Sequence, residues 1–333
     1  MAMDAPMTDA PPVKRACCCS STKKTAQGPS IDPARTGDMM RIAGGEFTMG
    51  SNDFYREERP ARRAIAPSFW IDVHPVTNAQ FAAFVEATGF VTLAEQQPDP
   101  ALYPDADPAL LCPGSLVFTQ PRSRVRLGDY RQWWAYVPGA SWRHPQGPES
   151  DLDGLADHPV VHVSFADASA YAQWAGKALP SELEWEFAAR GGLEGAVYPW
   201  GDEFAPDGRQ MANTWQGDFP WQNTALDGYE RTSPVKSFPP NGYGLYDVAG
   251  NVWEWTATRY GSGALDGGSA GGQPKSCCIP TGGNHALNVR HVVKGGSHLC
   301  APSYCLRYRP AARQGQTLDT STSHIGFRCV VRE

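Results

Sequence analysis

Three short stretches of the chain carry apolar residues at helical spacing, and each begins with a residue that can cap a helix. Thr77 and Ser181 are each followed, three positions later, by Gln or Glu. In such a capping box the two side chains satisfy backbone amides that the first helical turn leaves free. We therefore predict helices after Thr77, Ser164 and Ser181, the first ending at Gly89 and the last at Gly191.

Shorter apolar runs predict strands over residues 41–50, 69–73 and 160–163. Beyond residue 197 no helical period recurs, and Asn-Gly, Asp-Gly and Gly-Gly turns separate the apolar runs. Residues 91–157 are broken by prolines but rich in tryptophan, which indicates a packed irregular segment rather than a linker. We find neither a repeat nor an internal domain boundary in this pattern.

Residues 1–36 contain almost no large apolar side chain, so we predict a disordered tail there and one domain over residues 37–333. Hydrophobic residues make up 41% of the 333-residue chain, charged residues 19%, and the net charge is −6. This balance gives no electrostatic reason to expect binding to nucleic acid or to an anionic membrane. No apolar run approaches the roughly 20 residues that span a bilayer.

The cysteine pattern favours the cytoplasm. Nine cysteines are too few for a disulfide scaffold, and nine is an odd number. The N-terminus lacks the apolar stretch of roughly 7–15 residues that a secretory signal needs. We interpret Cys17–Cys19 and Cys277–Cys278 as thiols outside any metal site, and Cys112 as a buried small apolar residue.

Generic catalytic templates are absent: the sequence has no phosphate-binding loop, no dinucleotide fingerprint and no nucleophile elbow. His158 and His162 have the spacing of metal ligands on a helix, but the Pro-Val-Val between them favours an extended chain and hence a structural role. Asn213, Asp227 and the segment 246–254 offer the oxygen ligands that Ca²⁺ prefers. Asp and Asn in turns also cap their own backbone, and this alternative stays open.

The sharpest feature is the pair Cys300 and Cys305. Arg307, Arg309 and Arg313 follow closely, and cationic neighbours favour thiolates. Two thiolates without an interleaved carboxylate or imidazole suit Cu(I) better than a hard cation. A plain disulfide explains the spacing equally well.

These residues lie within a longer family pattern. The segments that carry it are GGEFTMGS (44–51), WIDVHPVTNAQFAAFV (70–85), WRHPQGP (142–148), HPVVHVSFADASAYAQWAGKALPSELEWEFAARGG (158–192), YPWGDEF (198–204), ANTWQGDFPWQNTALDGY (212–229), FPPNGYGLYDVAGNVWEWT (238–256), GGSHLCAPSYCLRYRPAAR (295–313) and IGFRC (325–329). In content and order they resemble the formylglycine-generating enzymes, the sulfatase-modifying factors. The resemblance implies an α+β fold: a single compact domain with little regular secondary structure, a variant of the C-type-lectin-like scaffold.

The resemblance also implies an activity. Enzymes of this family oxidise a cysteine in a sulfatase CxPxR segment to Cα-formylglycine with O2. The implied partners are an unfolded or nascent sulfatase polypeptide, O2 and a thiol reductant, and we expect a monomer. By resemblance Cys300 and Cys305 ligate copper, as Cu(I), which shifts the balance away from a disulfide. The other positions matching the catalytic site are Ser297, Tyr304, Arg309 and Trp253.

Structural calcium is implied at two further sets of positions. In the first set the Asn213 and Asp227 side chains and the Thr214 and Tyr229 carbonyls would be ligands. In the second set the Asp247 and Glu254 side chains and the Gly250 and Val252 carbonyls would be ligands.

The chain departs from the family pattern at several positions. His324 stands where better-known members carry an asparagine near the catalytic pocket. Ala172, Ala189 and Pro310 replace cysteines that form structural disulfides in secreted animal members. Cys329 is therefore expected to remain a free, buried thiol.

Two other functions compete with the oxidase. A catalytically silent binding module on the same scaffold predicts loss of one or both thiols, whereas Cys300 and Cys305 are both present. A non-haem iron sulfoxide synthase would need a helical domain with an HxxxHxE motif. The HxxxH at His158 continues without that Glu, and residues 1–40 are too short to supply the domain.

Overall fold

The three predicted helices are present and begin where capping was expected. In this computed structural model they are α1 Asn78–Thr88, α2 Phe165–Trp174 and α3 Glu182–Arg190. The Thr77 and Ser181 capping boxes are both formed, and Ser164 makes a third one with Asp167. Gly89 and Gly191 end α1 and α3 in the left-handed conformation, which glycine adopts without steric cost.

The structure describes residues 37–261 and 289–333. The predicted tail, Cys17–Cys19 and Cys277–Cys278 lie outside the described residues. All described residues belong to one compact unit, Ile31–Glu333. In neither described range is a helix both long and apolar enough to cross a bilayer.

Within the described ranges the strands are short and form four small sheets. They are β1 Met39–Ile42, β2 Gly45–Met49, β3 Arg62–Ala66, β4 Phe69–Asp72, β5 Gly114–Phe118, β6 Trp134–Pro138, β7 Trp253–Arg259, β8 Arg290–Lys294, β9 Arg313–Thr317, β10 Ile325–Gly326 and β11 Val330–Arg332. One sheet has the order β1-β4-β11 and another β10-β7-β8-β9, while β2-β3 and β5-β6 are two-stranded. All pairs are antiparallel except β10 with β7. This is the predicted α+β class.

Three strand predictions need correction. The single strand predicted over 41–50 is two strands in different sheets, because Gly44 turns the chain at φ 74° against the backbone of Pro67. Residues 160–163 are not a strand, since His162 has φ 59° and interrupts any extended run. The segment 91–157, predicted as irregular, contains the β5-β6 hairpin.

Two apolar clusters fill the interior. The larger one contains most of the buried aromatic residues together with Cys300 and Cys305. The smaller one packs β2, β3 and β4 against α3 through residues such as Phe47, Phe69 and Phe187. The cysteine pair therefore lies against the main core rather than at the end of a surface loop.

Candidate active site

The candidate site is built on the irregular loop that follows β8. Cys300 and Cys305 are each 1% exposed, and no disulfide joins them. Their Sγ atoms are 3.0 Å apart. The backbone N–H of Cys300 donates to the Ser297 carbonyl, and that of Cys305 donates to the Ala301 carbonyl. These two turns bring residues five positions apart side by side.

A glycine closes this loop onto itself. Gly296 has φ 71°, and a Cβ there would lie 2.8 Å from the Tyr308 nitrogen and 2.9 Å from the Arg307 carbonyl. Only glycine lets the start of the loop approach its end so closely. Ser297, the next residue, is buried, and its Oγ accepts the Leu299 N–H at 3.2 Å.

The expectation that cationic neighbours lower the thiol pKa is wrong for Cys300. Burial, followed by the hydrogen bond and charge of Cys305, raises its pKa well above the usual value, and Arg307 opposes this only weakly. Arg309 and Arg313 are paired with the carboxylates of Glu58 and Glu182. Cys300 without a metal is thus held as a thiol, and metal binding to it would have to release a proton.

Aromatic rings form one side of the site. The Tyr304 ring stacks on Phe219 with 4.5 Å between centroids and meets the edge of Trp133 at 5.7 Å. The Trp215 backbone N–H donates to the Cys300 carbonyl at 3.0 Å. Trp253 is buried in the same core cluster as the two cysteines. Tyr304 and Trp253 were predicted from the sequence. Phe219, Trp133 and Trp215 were not, and their only signal was the density of aromatic residues.

Arg309 is buried and fully occupied. Its guanidinium makes two hydrogen bonds to the Glu58 carboxylate, at 2.9 and 2.5 Å, and its Nε donates to the Leu306 carbonyl. It therefore contacts the backbone beside Cys305 rather than presenting a free cation. Glu58 was not predicted from the sequence.

His324 occupies the position of the expected asparagine and is buried. Its Nδ1 is 2.7 Å from the Thr322 hydroxyl, and its ring lies 4.8 Å from that of Trp134. Burial, with smaller effects of His298 and His162, lowers its pKa well below the usual value. Burial likewise lowers the pKa of His162 to about 4, and His162 contacts Ser115 and the Pro145 carbonyl in a structural role.

The remaining cysteines behave differently from one another. Cys329 is a free, fully buried thiol, as expected. Cys112 is partly exposed and its Sγ contacts the Ala109 carbonyl, so the prediction of a buried residue was wrong. The reason is that the segment before it, Pro108–Leu110, is a short surface turn with no buried side chain.

The first oxygen-rich set is brought together. Asp227 accepts the backbone N–H groups of Thr214 and Tyr229, each at 3.0 Å, and the Gln216 amide at 2.7 Å. Asn213 is 1% exposed, and its Oδ1 has no hydrogen-bond partner. A buried acceptor left unpaired costs free energy unless a donor or cation meets it. A cation bound at the first set would supply the partner that the Asn213 Oδ1 lacks.

The second set is more crowded. Both oxygens of Glu254 accept hydrogen bonds from Arg328 at 2.7 Å, and the Trp185 indole donates to one of them at 2.8 Å. Burial raises the pKa of Asp247 to about 6, and the charge of Glu254 adds slightly to this rise. Gly250 and Val252 lie between these carboxyl groups in sequence. A cation at this set would share Glu254 with a guanidinium that already neutralises it.

Over residues 37–261 and 289–333, no three or more His, Cys, Asp or Glu side chains are grouped as a metal site. A metal at the cysteine pair would thus have two protein ligands. Two soft sulfur ligands are the donor set that suits Cu(I).

Comparison with known proteins gives consistent matches. The model of the sulfatase-modifying factor enzyme 1-like domain matches residues 25–333. A formylglycine-generating enzyme of Mycobacterium tuberculosis is 54% identical over 88% of this chain and 97% of its own length. A mouse protein named inactive C-alpha-formylglycine-generating enzyme 2 is 39% identical over 91% of this chain and 87% of its own. Among solved structures, PvdO of Pseudomonas aeruginosa is 26% identical, with a TM-score of 0.56 over 89% of this chain and 94% of its own.

Proposed function

Because this chain belongs to the sulfatase-modifying factor enzyme 1-like family, we propose that it oxidises a cysteine in a sulfatase CxPxR segment to Cα-formylglycine. O2 is the oxidant, a thiol reductant supplies electrons, and Cys300 and Cys305 hold Cu(I). The observation that carries this proposal is the pair of buried Sγ atoms that lie 3.0 Å apart without a disulfide between them.

The reaction must balance in atoms and electrons. The thiol side chain of the substrate cysteine, O2, two electrons and two protons yield the aldehyde, one hydrogen sulfide and one water. Oxidation of two reductant thiols to a disulfide supplies the two electrons and two protons. Sulfur leaves the substrate as hydrogen sulfide, so a substrate serine in place of cysteine cannot follow this stoichiometry.

The donor set supports copper. Both thiols are buried, and Arg307 lies beside them, with its Nη1 3.8 Å from the Cys305 Sγ. Copper, when bound by the two thiolates, would supply one-electron chemistry with O2. The raised pKa of Cys300 means that binding releases a proton, and the Arg307 guanidinium stabilises the negative charge that the thiolates bring.

The surrounding side chains orient the substrate and exclude water. The stacked rings of Tyr304 and Phe219 form a rigid apolar side for an extended peptide, because the proline of CxPxR disfavours a helix at the preceding residue. Tyr304 directly precedes Cys305, and the Ser297 carbonyl accepts the hydrogen bond from the Cys300 N–H. The hydroxyl groups of Tyr304 and Ser297 are proposed to orient O2 or a bound water, and Trp253 packs in the same core cluster as the two cysteines.

We also propose structural Ca²⁺ at the first oxygen set, where the unpaired Asn213 Oδ1 supports it. At the second set we propose weaker binding, since Arg328 already neutralises Glu254. We further propose that the protein acts as a monomer in the cytoplasm, where buried thiols such as Cys329 stay reduced.

The test is direct. The reduced protein is incubated with a CxPxR peptide, Cu(I), O2 and a thiol reductant, and the peptide is analysed by mass spectrometry. We expect aldehyde formation with the wild type and with Cys329→Ser, a control that removes an equally buried thiol outside the pair. Cys305→Ser should lose turnover and tight Cu(I) binding.

Two results would contradict the proposal. Near-normal turnover by Cys305→Ser would exclude the two-thiolate site, and efficient oxidation of a serine peptide would exclude the stoichiometry above. If the wild type binds the peptide but never converts it, the chain is instead a catalytically silent binding module. This alternative is considered because the mouse relative is named as inactive.

A further inference from the structure

A short segment from the N-terminal part of the domain packs against the residues that follow Cys305. We define the bracing segment as residues 54–58, which includes the 3-10 turn Arg56–Glu58. It lies about 250 positions away in sequence, yet its side chains contact residues 306, 307 and 309. No element of regular secondary structure contains Cys305, so the position of its Sγ depends on the turn that its N–H closes onto the Ala301 carbonyl and on contacts of this kind.

One buried and one partly buried ion pair form the charged part of the contact. Glu58 and Arg309 are 0% and 1% exposed at their side chains and make two hydrogen bonds. Glu57 pairs with Arg307 at 2.6 Å. Arg309 in turn donates to the carbonyl of Leu306, the residue next to Cys305.

Two aromatic rings complete the contact. The Arg307 guanidinium lies 3.8 Å from the centroid of the Tyr55 ring, and the Arg309 guanidinium lies 3.7 Å from that of Phe54. The Leu306 backbone N–H donates to the Tyr55 hydroxyl at 2.9 Å. Both backbone polar groups of Leu306 are thus held, one directly by Tyr55 and the other through Arg309.

The bracing segment is itself fixed to the rigid part of the fold. The Gly50 N–H donates to Glu186 of α3, Arg190 of α3 donates to the Gly50 carbonyl, and the Ser51 N–H donates to the Glu58 carbonyl. The chain of contacts therefore runs from α3 through residues 50–58 to the peptide beside Cys305. The backbone of Cys300 bonds to Ser297 and Trp215, and that of Cys305 bonds to Ala301 and Arg307.

We propose that Tyr55 and Glu58 are positioning residues that hold the Sγ of Cys305 beside that of Cys300 in the arrangement that the copper site needs. This inference rests on the proposed function of the cysteine pair. Loss of either contact lets the 305–307 backbone open, which weakens Cu(I) binding and exposes the Cys305 thiol.

The first variant is Tyr55→Phe, which removes only the hydroxyl that Leu306 donates to. Cu(I) affinity is measured by competition with a chromophoric Cu(I) chelator, and alkylation of Cys305 in the reduced, metal-free protein is followed by mass spectrometry. The net worth of one hydrogen bond predicts that affinity falls and alkylation accelerates by about three- to tenfold. With the CxPxR peptide, kcat should fall while KM stays unchanged.

The second variant is Glu58→Gln, and Glu184→Gln is its matched control. Glu184 is also buried and makes a two-bonded pair with an arginine, Arg332, but that pair lies outside the cysteine loop. We expect both substitutions to lower the melting temperature and only Glu58→Gln to weaken Cu(I) binding and expose Cys305.

Affinity and alkylation need no turnover, so they test the positioning role even if the proposed oxidation does not occur. The inference is wrong if Tyr55→Phe and Glu58→Gln both leave the Cu(I) affinity and the alkylation rate within about twofold of the values for Glu184→Gln. A change that small is less than the loss of one hydrogen bond predicts, and the segment would then have a merely structural role. If Glu58→Gln does not fold, the Tyr55→Phe result alone decides it.

Discussion

The buried pair of Arg328 and Glu254 should be a major determinant of stability. Both side chains are 0% exposed, and the guanidinium makes two 2.7 Å hydrogen bonds to the carboxylate. It also donates to the backbone carbonyls of Asp72, Tyr246 and Asp247. The substitution Arg328→Met keeps an unbranched apolar chain and removes every one of these donors.

The magnitude follows from what remains buried. Removing one partner leaves the Glu254 charge without a counter-ion in the core, which costs about 3–5 kcal/mol. The backbone carbonyls of Asp72, Tyr246 and Asp247, which lose their donor, lower the stability further. At about 2 °C per kcal/mol for a domain of this size, the melting temperature should fall by about 6–10 °C.

The assay is thermal unfolding of the purified wild type and variants at equal concentration and constant metal content. Arg41→Met is the matched control, because Arg41 also makes two hydrogen bonds to a carboxylate, that of Glu333, but at the surface. Exposed pairs contribute little, so this control should not shift the transition resolvably. If Arg328→Met melts within about 1 °C of the control, the reasoning from burial fails.

Three further outcomes are expected. Excess Ca²⁺ should raise the melting temperature of Arg328→Met more than that of the wild type, because Glu254 is then free to bind a cation; equal shifts would count against the second calcium set. Gly250→Ala should melt lower and lose the Ca²⁺-dependent rise, since a Cβ at φ 73° collides with the Asn213 carbonyl; an unchanged rise would place calcium elsewhere. The pKa of His162 is lowered to about 4, so the folded state binds fewer protons than the unfolded state between pH 4 and 6.5. The free energy of unfolding therefore decreases as the pH falls through that range. Urea titrations should show about 2 kcal/mol less stability at pH 5 than at pH 7 from this group, and His162→Gln should have a correspondingly flatter pH dependence.

Local structure was predictable where a few neighbouring residues determine it. The capping boxes at Thr77 and Ser181 and the glycines at 89 and 191 placed two helices correctly. These signals work because the atoms that interact are three or four positions apart. The same reasoning failed at Gly44 and His162, where contacts with distant backbone set a positive φ within an apolar run.

The site was predictable only in part. Cys300 and Cys305 stood out because two candidate soft ligands lie in one short segment, and the structure places their sulfur atoms side by side. The raised pKa of Cys300 was not predictable, because the nearby arginines are engaged by Glu57, Glu58 and Glu182, which are remote in sequence. Desolvation then dominates over the charge that the sequence displays.

The helices, the two candidate ligand thiols and the family pattern that links them were all readable from the order of the amino acids. Which charges are neutralised, and which aromatic residues pack in one core cluster with the cysteines, became clear only from the three-dimensional arrangement. Tyr55 and Glu58 contact residues about 250 positions away, and no local spacing rule reports such a contact. The physical reason is that burial and pairing depend on distances in space, which this loop-rich fold sets through long-range contacts rather than through regular elements.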